Sequence, residues 1–377
     1  MSTTVRNRFK ARRTLSASAA VAAAAATVLL SVQHASADEA APEAAQDCGM
    51  ETLPIPDGLQ STRIMAMSDD GSVIAYSAES LDHEEFENRE QYLRLYSDGE
   101  VTELPVSGPW ERVADVNSSG VATGASGDYP DREPWIWQDG ELSALPTEYG
   151  GEALGINDQG DIVGSRRDPN LGSIPVVWPA DGTGPVDLEL PDHAGYGEAT
   201  AIGDDGTIVG QFTDDGDLSG NTKPYVWYPD GTGAELPMPE GIDRADAYSE
   251  PMDVTGDWVT GFLQTPDVTW DRPTTVRWNL AEGTAETTEL GFYASPAAIA
   301  ADGTVVGQSY ETRAAAYQTG ETVVDLPGVT DSFNGDYAVE ISADGSLIAG
   351  EVFVGNGDDG YEDFNAVTWT CEPKPVS

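Results

Sequence analysis

The stretch at residues 156–164 reads INDQGDIVG, and it is one of seven related stretches in the chain. Close copies are IGDDGTIVG at 202–210, IAADGTVVG at 299–307 and ISADGSLIAG at 341–350, and weaker ones are MSDDGSVIA at 67–75, VNSSGVATG at 116–124 and VTGDWVTG at 254–261. Each copy indicates a tight β-hairpin, because a glycine can take the positive φ that closes such a turn and a β-branched run follows it. The seven turn glycines are Gly71, Gly120, Gly160, Gly206, Gly256, Gly303 and Gly345.

A second motif follows each hairpin. In the unit that begins at residue 156, Trp178 leads through Asp181-Gly182 to Leu190-Pro191, and most other units have the same order of aromatic strand, Gly turn and apolar strand. We interpret the aromatic residue as packing between neighbouring sheets rather than as a platform for a ligand. The aromatic positions are Tyr96, Trp137, Trp178, Trp227, Trp278, Tyr317 and Trp369.

The repeat predicts the fold. Each unit has four antiparallel strands, and the turn glycines lie 40 to 50 residues apart. One such sheet cannot cover both of its faces, so neighbouring sheets must stack. Four strands at this period fit a propeller blade better than a solenoid rung. The sequence therefore predicts an all-β, seven-bladed β-propeller with four antiparallel strands per blade.

The two ends of the chain are predicted to meet. The seventh unit runs from Trp369 into Cys371 without a Leu-Pro strand, whereas CGMETLP at 48–54 resembles VTELP at 101–105. We expect this N-terminal strand to complete the last blade, which places Cys48 beside Cys371. A disulfide between them would stabilise the fold by about 5 kcal/mol in the chain-entropy model.

The N-terminus has the layout of a secretory signal. Five basic residues precede an apolar run at 15–32, and Ala35-Ser36-Ala37 is suited to a signal peptidase. We expect a signal peptide at 1–37, an acidic, alanine-rich linker at 38–47 and one propeller at 48–377. The protein is then secreted, with no stable membrane insertion after cleavage. An uncleaved anchor is the alternative, and Arg12-Arg13 leaves Sec and twin-arginine export both open.

The composition is strongly acidic, with 66 acidic and 18 basic residues and a net charge of −48. A field of this sign repels nucleic acid, so we expect no nucleic-acid partner. It attracts cations or a basic partner, or it serves only to keep a secreted protein soluble. We expect a monomer.

These repeats resemble the HAF-repeat extracellular proteins, whose units combine an Ile-Asn-x-x-Gly-x-Val-Val-Gly hairpin with an aromatic strand and an Asn-Gly or Asp-Gly turn. The resemblance covers about residues 50–369 and is best at 155–164, but the His-Ala-Phe triplet is replaced, for example by EPW at 133–135. The first unit, SDDGSVIAY at 68–76, also resembles the repeats of TolB-type propellers. Both resemblances imply a propeller, and neither implies a reaction.

The long loops at 77–91, 125–133, 165–174, 211–223, 262–272 and 351–364 are predicted to lie at one end of the molecule, opposite the short Gly turns. Binding residues are commonly carried on loops held by a rigid scaffold. The predicted ligand face is acidic and carries five aromatic residues, namely Tyr129, Tyr196, Trp270, Phe353 and Tyr361.

No catalytic signature is present in the sequence. His83 and His193 lie in different loops, and no nucleophile elbow or phosphate-binding loop occurs. We therefore predict a binding module with no cofactor, whose ligand is a glycan, a cationic peptide or a protein. The alternative is a glycoside hydrolase or lyase that uses channel carboxylates, because a carboxylate pair cannot be recognised in a single acidic sequence. Calcium binding is left open at Asp214, Asp215, Asp217, Asp358 and Asp359.

Overall fold

The chain is described here from a computed structural model. The structure describes residues 48–80, 91–108, 111–127, 132–170, 172–216, 221–244, 247–265, 274–291, 298–329, 335–356 and 362–371. The predicted signal peptide and linker lie outside these residues. We number the sequence units one to seven in chain order. None of the described residues forms a helix long and apolar enough to cross a membrane.

The first four units form strands in simple up-and-down order. Strand β1 comes before them, and its partner lies at the other end of the chain. The strands are β1 (Cys48–Thr52), β2 (Leu59–Met67), β3 (Val73–Ser80), β4 (Gln91–Ser97), β5 (Glu100–Gly108), β6 (Arg112–Val116), β7 (Ala122–Ser126), β8 (Glu133–Gln138), β9 (Glu141–Ala144), β10 (Gly151–Ile156), β11 (Ile162–Asp168), β12 (Gly172–Trp178), β13 (Val186–Asp187), β14 (Ala194–Ile202), β15 (Ile208–Asp214), β16 (Lys223–Trp227) and β17 (Gly233–Glu235).

The last three units follow the same order. Their strands are β18 (Tyr248–Thr255), β19 (Trp258–Gln264), β20 (Thr274–Asn279), β21 (Thr284–Gly291), β22 (Val305–Ser309), β23 (Ala315–Thr319), β24 (Thr322–Asp325), β25 (Tyr337–Ile341), β26 (Leu347–Asn356) and β27 (Glu362–Cys371).

Hydrogen bonding joins the described strands into six antiparallel sheets. Units one to four each give a four-stranded sheet, and unit seven gives a fifth such sheet with β1 as its outer strand. Units five and six share one seven-stranded sheet. Among the described residues of unit six, Ile299 forms an isolated bridge with Val305, and the end of β21 (Leu290 and Gly291) pairs with Ser309 and Gln308 of β22. The fold is thus all-β and propeller-like.

The apolar core lies between units rather than within them. Each cluster of buried side chains is shared by two units that are consecutive in the chain, as predicted from the need of each sheet to cover its faces. One further cluster joins the first unit to the last, where Ile64 and Tyr76 pack with Val339 and Ala349.

Four tryptophans of the aromatic strands connect neighbouring units. Trp178, Trp227, Trp278 and Trp369 are buried, and each indole N–H donates to a backbone carbonyl at the end of the preceding unit. In three of them the acceptor is the proline of the Leu-Pro motif: Pro146, Pro237 and Pro327, at 2.7 to 3.1 Å. The outer strand of one unit therefore ends at the Leu-Pro motif, and the carbonyl of its proline accepts a hydrogen bond from the tryptophan of the next unit.

The Gly turns are also linked from unit to unit. All seven turn glycines have positive φ, between 58° and 86°. Asp158 accepts a hydrogen bond from the backbone N–H of Ser118 in the preceding turn, and Asp204 accepts one from the N–H of Asp158. Between units seven and one, the N–H of Ala343 donates to the carbonyl of Asp69.

The first strand completes the last sheet. Strand β1 pairs with β27 from Cys48–Cys371 to Thr52–Val367, and the two cysteines form a disulfide with a Cα–Cα distance of 4.2 Å. The disulfide spans 323 residues. The predicted pairing of the chain ends is confirmed.

Candidate functional site

The first strands of the units line a common cavity of about 370 Å³, here called the channel. Each complete first strand contains a β-bulge at the same point, where its register against the second strand shifts by one residue. The extra residue changes the direction of the side chains that follow it. Charged residues lining the channel are Asp69, Arg112, Asp115, Glu152, Glu198, Glu250, Asp253 and Glu340.

Two channel carboxylates join neighbouring units. Asp115 accepts hydrogen bonds from the N–H of Val116 at 2.7 Å and from that of Ile156 in the next unit at 2.8 Å. Asp253 does the same with Val254 and Ile299, at 2.7 and 2.8 Å. Burial nevertheless raises the pKa of both, that of Asp253 to about 6.

Other channel acids lie close enough to repel one another. Burial, together with the charges of Asp253 and three further aspartates, raises the pKa of Asp69 to about 7. Burial likewise raises the pKa of Glu340 well above its usual range, assisted by Asp253, Asp115 and Asp69. The channel therefore holds protons on some of its carboxyl groups near neutral pH.

A second cavity of about 490 Å³, here called the cleft, lies mainly between units three and four. It opens at the ends of the strands that carry the long loops, opposite the Gly turns. It is lined by Arg132, Gly151, Glu152, Ser165, Arg167, Gly172, Ser173, Tyr196, Gly197, Glu198, Gln211, Phe212, Thr213, Thr222 and Tyr248.

Glu198 belongs to both cavities, on β14. Its carboxylate accepts a hydrogen bond from the Ser165 hydroxyl at 2.9 Å. The pKa of Glu198 is raised to about 7, mainly by burial and also by the nearby Glu152 and Glu250, although the hydrogen bond from Ser165 and the charge of Arg112 oppose this. This carboxyl group is divided between its acid and its base form near neutral pH.

Two further glutamates flank Glu198 in different surroundings. Glu152 forms ion pairs with Arg132 at 3.2 Å and with Arg112 at 3.7 Å. Glu250 accepts a hydrogen bond from the Tyr248 hydroxyl at 2.6 Å and another from the Gln211 amide, while burial raises its pKa. One glutamate thus has cationic partners and the other has neutral ones.

Two buried oxygens in the cleft wall have no hydrogen-bond partner among the described residues. They are Oε1 of Gln211 and Oγ1 of Thr213, in side chains that are 7% and 1% exposed. Buried polar atoms in folded proteins are nearly always hydrogen-bonded. A hydroxyl or amine of a bound molecule, or water, can supply the missing donors.

Two of the five aromatic residues predicted for the ligand face are described. Tyr196 is 45% exposed and lines the cleft. Phe353 is wrongly predicted: it is buried on β26, and its ring packs edge-on against Phe364. Tyr129, Trp270 and Tyr361 lie outside the described residues.

The calcium candidates are only partly described. Asp214 lies 3.7 Å from Lys223 and 3.6 Å from His193, so it has cationic or polar neighbours, and Asp215 follows it. Asp217, Asp358 and Asp359 lie outside the described residues. In the part of the chain that the structure describes, no three acidic, histidine or cysteine side chains are grouped as a metal site requires.

The glutamates of the cleft are not among the predicted site residues, although the repeat contains a signal for them. Glu152, Glu198 and Glu250 each stand four residues before the apolar residue that opens the hairpin motif, and Arg112 takes the same place in unit two. Alignment of the units therefore brings these charges to one level of the channel.

No protein-family model matches the sequence. No curated protein matches it either. Among solved structures, the acylaminoacyl peptidase of Pyrococcus horikoshii is similar, with 12% identity, 80% of this chain and 50% of that chain covered, and a TM-score of 0.52. One structure from a study of two prolyl endopeptidases is 11% identical, with 84% of this chain and 51% of that chain covered and a TM-score of 0.50. A protein described as TolB from Agrobacterium tumefaciens is 12% identical, with 62% and 82% covered and a TM-score of 0.44.

The chain spans about half the length of the two peptidases it matches. At such low identity the similarity concerns the fold alone. It agrees with the propeller-like arrangement of antiparallel sheets and leaves the chemistry to the side chains of the site.

Proposed function

We propose that this protein is a secreted, closed propeller of seven blades, a divergent relative of the HAF-repeat proteins, that binds an oligosaccharide in the cleft. The seven hairpin copies, the packing of the first unit on the last and the Cys48–Cys371 disulfide support the ring. In this proposal the shared sheet of units five and six is two blades joined by a short pairing. The disulfide also supports export, because such bonds persist in oxidising compartments.

The chemistry of the cleft favours a sugar. Its walls offer hydroxyl, amide, carboxyl and guanidinium groups, and Tyr196 adds an exposed ring at its edge. Sugars present many hydroxyls and apolar ring faces, so they fit walls of this mixed character. The observation that carries the proposal is the pair of unpartnered buried acceptors, Gln211 Oε1 and Thr213 Oγ1.

The test is a binding screen of the mature protein against glycans, followed by calorimetry on those that bind. Thr213→Val keeps the shape of the side chain and removes the acceptor. We expect it to weaken binding about tenfold, the value of one hydrogen bond of 1.4 kcal/mol. Thr275→Val is the matched control, because Thr275 Oγ1 is also buried and unpartnered but does not line the cleft. Equal affinity of the two variants, or binding of no glycan, would contradict the proposal.

Hydrolysis is the second candidate function. Glu198 has a pKa of about 7, and Glu152, which lines the same cleft, is paired with two arginines. Two carboxyl groups whose surroundings differ in this way match the acid and its ionised partner in glycoside hydrolases. New reducing ends that form with the wild-type protein but not with Glu198→Gln would support this candidate.

A further inference from the structure

The channel below the cleft has a large excess of negative groups. Seven acidic side chains line it, against a single basic one among the described lining residues, Arg112. Glu152 and Glu198 line both the cleft and the channel, so the two cavities are adjacent at these side chains. A ligand in the cleft can therefore contact Glu198, which also belongs to the acidic lining of the channel.

The acids at this junction differ in the groups that compensate them. Glu152 has two arginines, and Asp115 and Asp253 each accept two backbone N–H groups. Glu198 and Glu250 accept hydrogen bonds from neutral donors, the hydroxyls of Ser165 and Tyr248 and the amide of Gln211, and the charge of Arg112, which is paired with Glu152, favours the ionised form of both. Burial raises the pKa of both, and their mutual repulsion adds to that of Glu198. A positive charge placed between them would favour their ionised forms.

An independent observation also calls for a donor at this place. Gln211 donates its amide to Glu250, and its other polar atom, Oε1, is buried without a partner in the cleft wall. Thr213, two residues further on β15, has an unpartnered Oγ1 that lines the same cleft. The junction therefore offers acceptors that lack donors beside two carboxylates that share the charge of one cation, Arg112, whose ion pair is with Glu152. A primary ammonium supplies both, because it carries one positive charge and three N–H donors.

We propose that the cleft selects glycans that contain protonated amino sugars, with the ammonium group held between Glu198 and Glu250 at the entrance to the channel. This inference rests on the proposed function, because it names the class of glycan for the same site. The ring hydroxyls of the sugar occupy the cleft, and the unpartnered oxygens of Gln211 and Thr213 accept hydrogen bonds from the bound molecule.

The experiment compares three tetrasaccharides of the same linkage by calorimetry at pH 7: β-1,4-linked glucosamine, N-acetylglucosamine and glucose. We expect the glucosamine tetramer to bind about tenfold more tightly than the other two, the effect of one charged hydrogen bond. Glu198→Gln and Glu250→Gln should each remove most of this preference, measured as the ratio of the affinities for the glucosamine and glucose tetramers in the same variant. The control is Glu141→Gln, which removes one negative charge at an exposed position of β9; it should keep the preference.

The outcomes separate the two proposals. If none of the three tetramers binds, this inference is overturned, and the glycan screen alone decides the proposed function. If all three bind equally, or if the preference survives in both glutamine variants, only the inference is overturned. A trilysine peptide that binds more tightly than the glucosamine tetramer would also overturn it, since the occupant would then be a cationic peptide. Urea unfolding of each variant verifies that a loss of preference comes from a folded protein.

Discussion

A single added methyl group should separate glycines that the fold needs from glycines that it tolerates. A Cβ at position 350 would lie 2.1 Å from the carbonyl oxygen of Tyr337 and 2.7 Å from the ring of Trp369, both in the same sheet. Gly350→Ala should therefore lower the free energy of unfolding by about 1–3 kcal/mol, the usual cost of overpacking. Urea unfolding followed by tryptophan fluorescence measures it.

The matched control is Gly49→Ala in β1, where a Cβ would have no heavy atom within 4 Å. This variant should unfold within about 0.5 kcal/mol of the wild type, as exposed substitutions usually do. Equal stability of Gly350→Ala and Gly49→Ala would show that the strands can separate at low cost and that this glycine has another role.

The repeat motif predicts some of these glycines better than others. The turn glycines follow from the need for positive φ, which is a property of one residue and its neighbours. The last glycine of the motif, as at Gly164, Gly210 and Gly350, has a different reason: a Cβ there would lie within 2.1 Å of a carbonyl oxygen on the first strand. That reason depends on the bulge in the partner strand, which the sequence of the hairpin alone does not reveal.

The disulfide should stabilise the fold more than any other single bond of the last sheet. It closes a loop of 323 residues and attaches β1 to β27. Replacement of both cysteines by serine should lower the free energy of unfolding by about 3–5 kcal/mol. Chemical unfolding with and without a reductant measures this difference.

The double serine variant is its own control, because a reductant should leave its unfolding midpoint unchanged while it lowers that of the wild type. If a reductant causes no chemical change in the unfolded wild-type protein, the disulfide does not form. A disulfide that forms without stabilising would mean that β1 is held by its hydrogen bonds to β27 and by the packing of Met50 and Leu53.

The strands could be predicted where the repeat motif is regular, and their bounds were harder to predict where a strand extends beyond the motif. The aromatic strands, the Leu-Pro ends and the pairing of β1 with β27 could be predicted from the repeat. Phe353 was assigned to a loop at 351–364, but β26 continues to Asn356 and β27 begins at Glu362. The motif marks where a hairpin turns and carries no information on how far its arms extend, so Phe353 was placed on the surface instead of against Phe364.

The cleft could be predicted only in part from the sequence, because it is assembled from several units. The loop face was expected, and Tyr196 lies there. Glu198 and Glu152 come from neighbouring first strands, and their proximity depends on how two sheets pack. Their common place, four residues before the hairpin motif, is seen only when the units are aligned, and one unit alone does not distinguish them in a chain with 66 acidic residues.

The acidic channel should make the protein more stable in mild acid than at neutral pH. Burial and neighbouring acids raise the pKa of Glu340 well above its usual range and that of Asp69 to about 7, and burial raises that of Asp253 to about 6. The folded state therefore binds protons more tightly than the unfolded state, so stability falls as the pH rises from about 4, the ordinary pKa of such groups, to about 7. Urea midpoints measured between pH 4 and pH 8 should decline over this range.

Other carboxylates limit the gain at lower pH. Arg166 holds the pKa of Asp187 below its usual range, and hydrogen bonds from Ser346 do the same for Asp344, so the stability they give is lost as the pH falls below about 4. The maximum should therefore lie near pH 4–5.

General repulsion between the many acidic residues of the chain also weakens when they are protonated, and the variant Glu340→Gln separates this cause from the effect of the channel. This variant should raise stability at pH 8 by on the order of 1–3 kcal/mol and flatten the decline, whereas Glu141→Gln, with the same loss of charge at an exposed site, should change neither. Identical profiles for the two variants would assign the pH dependence to the surface rather than to the channel.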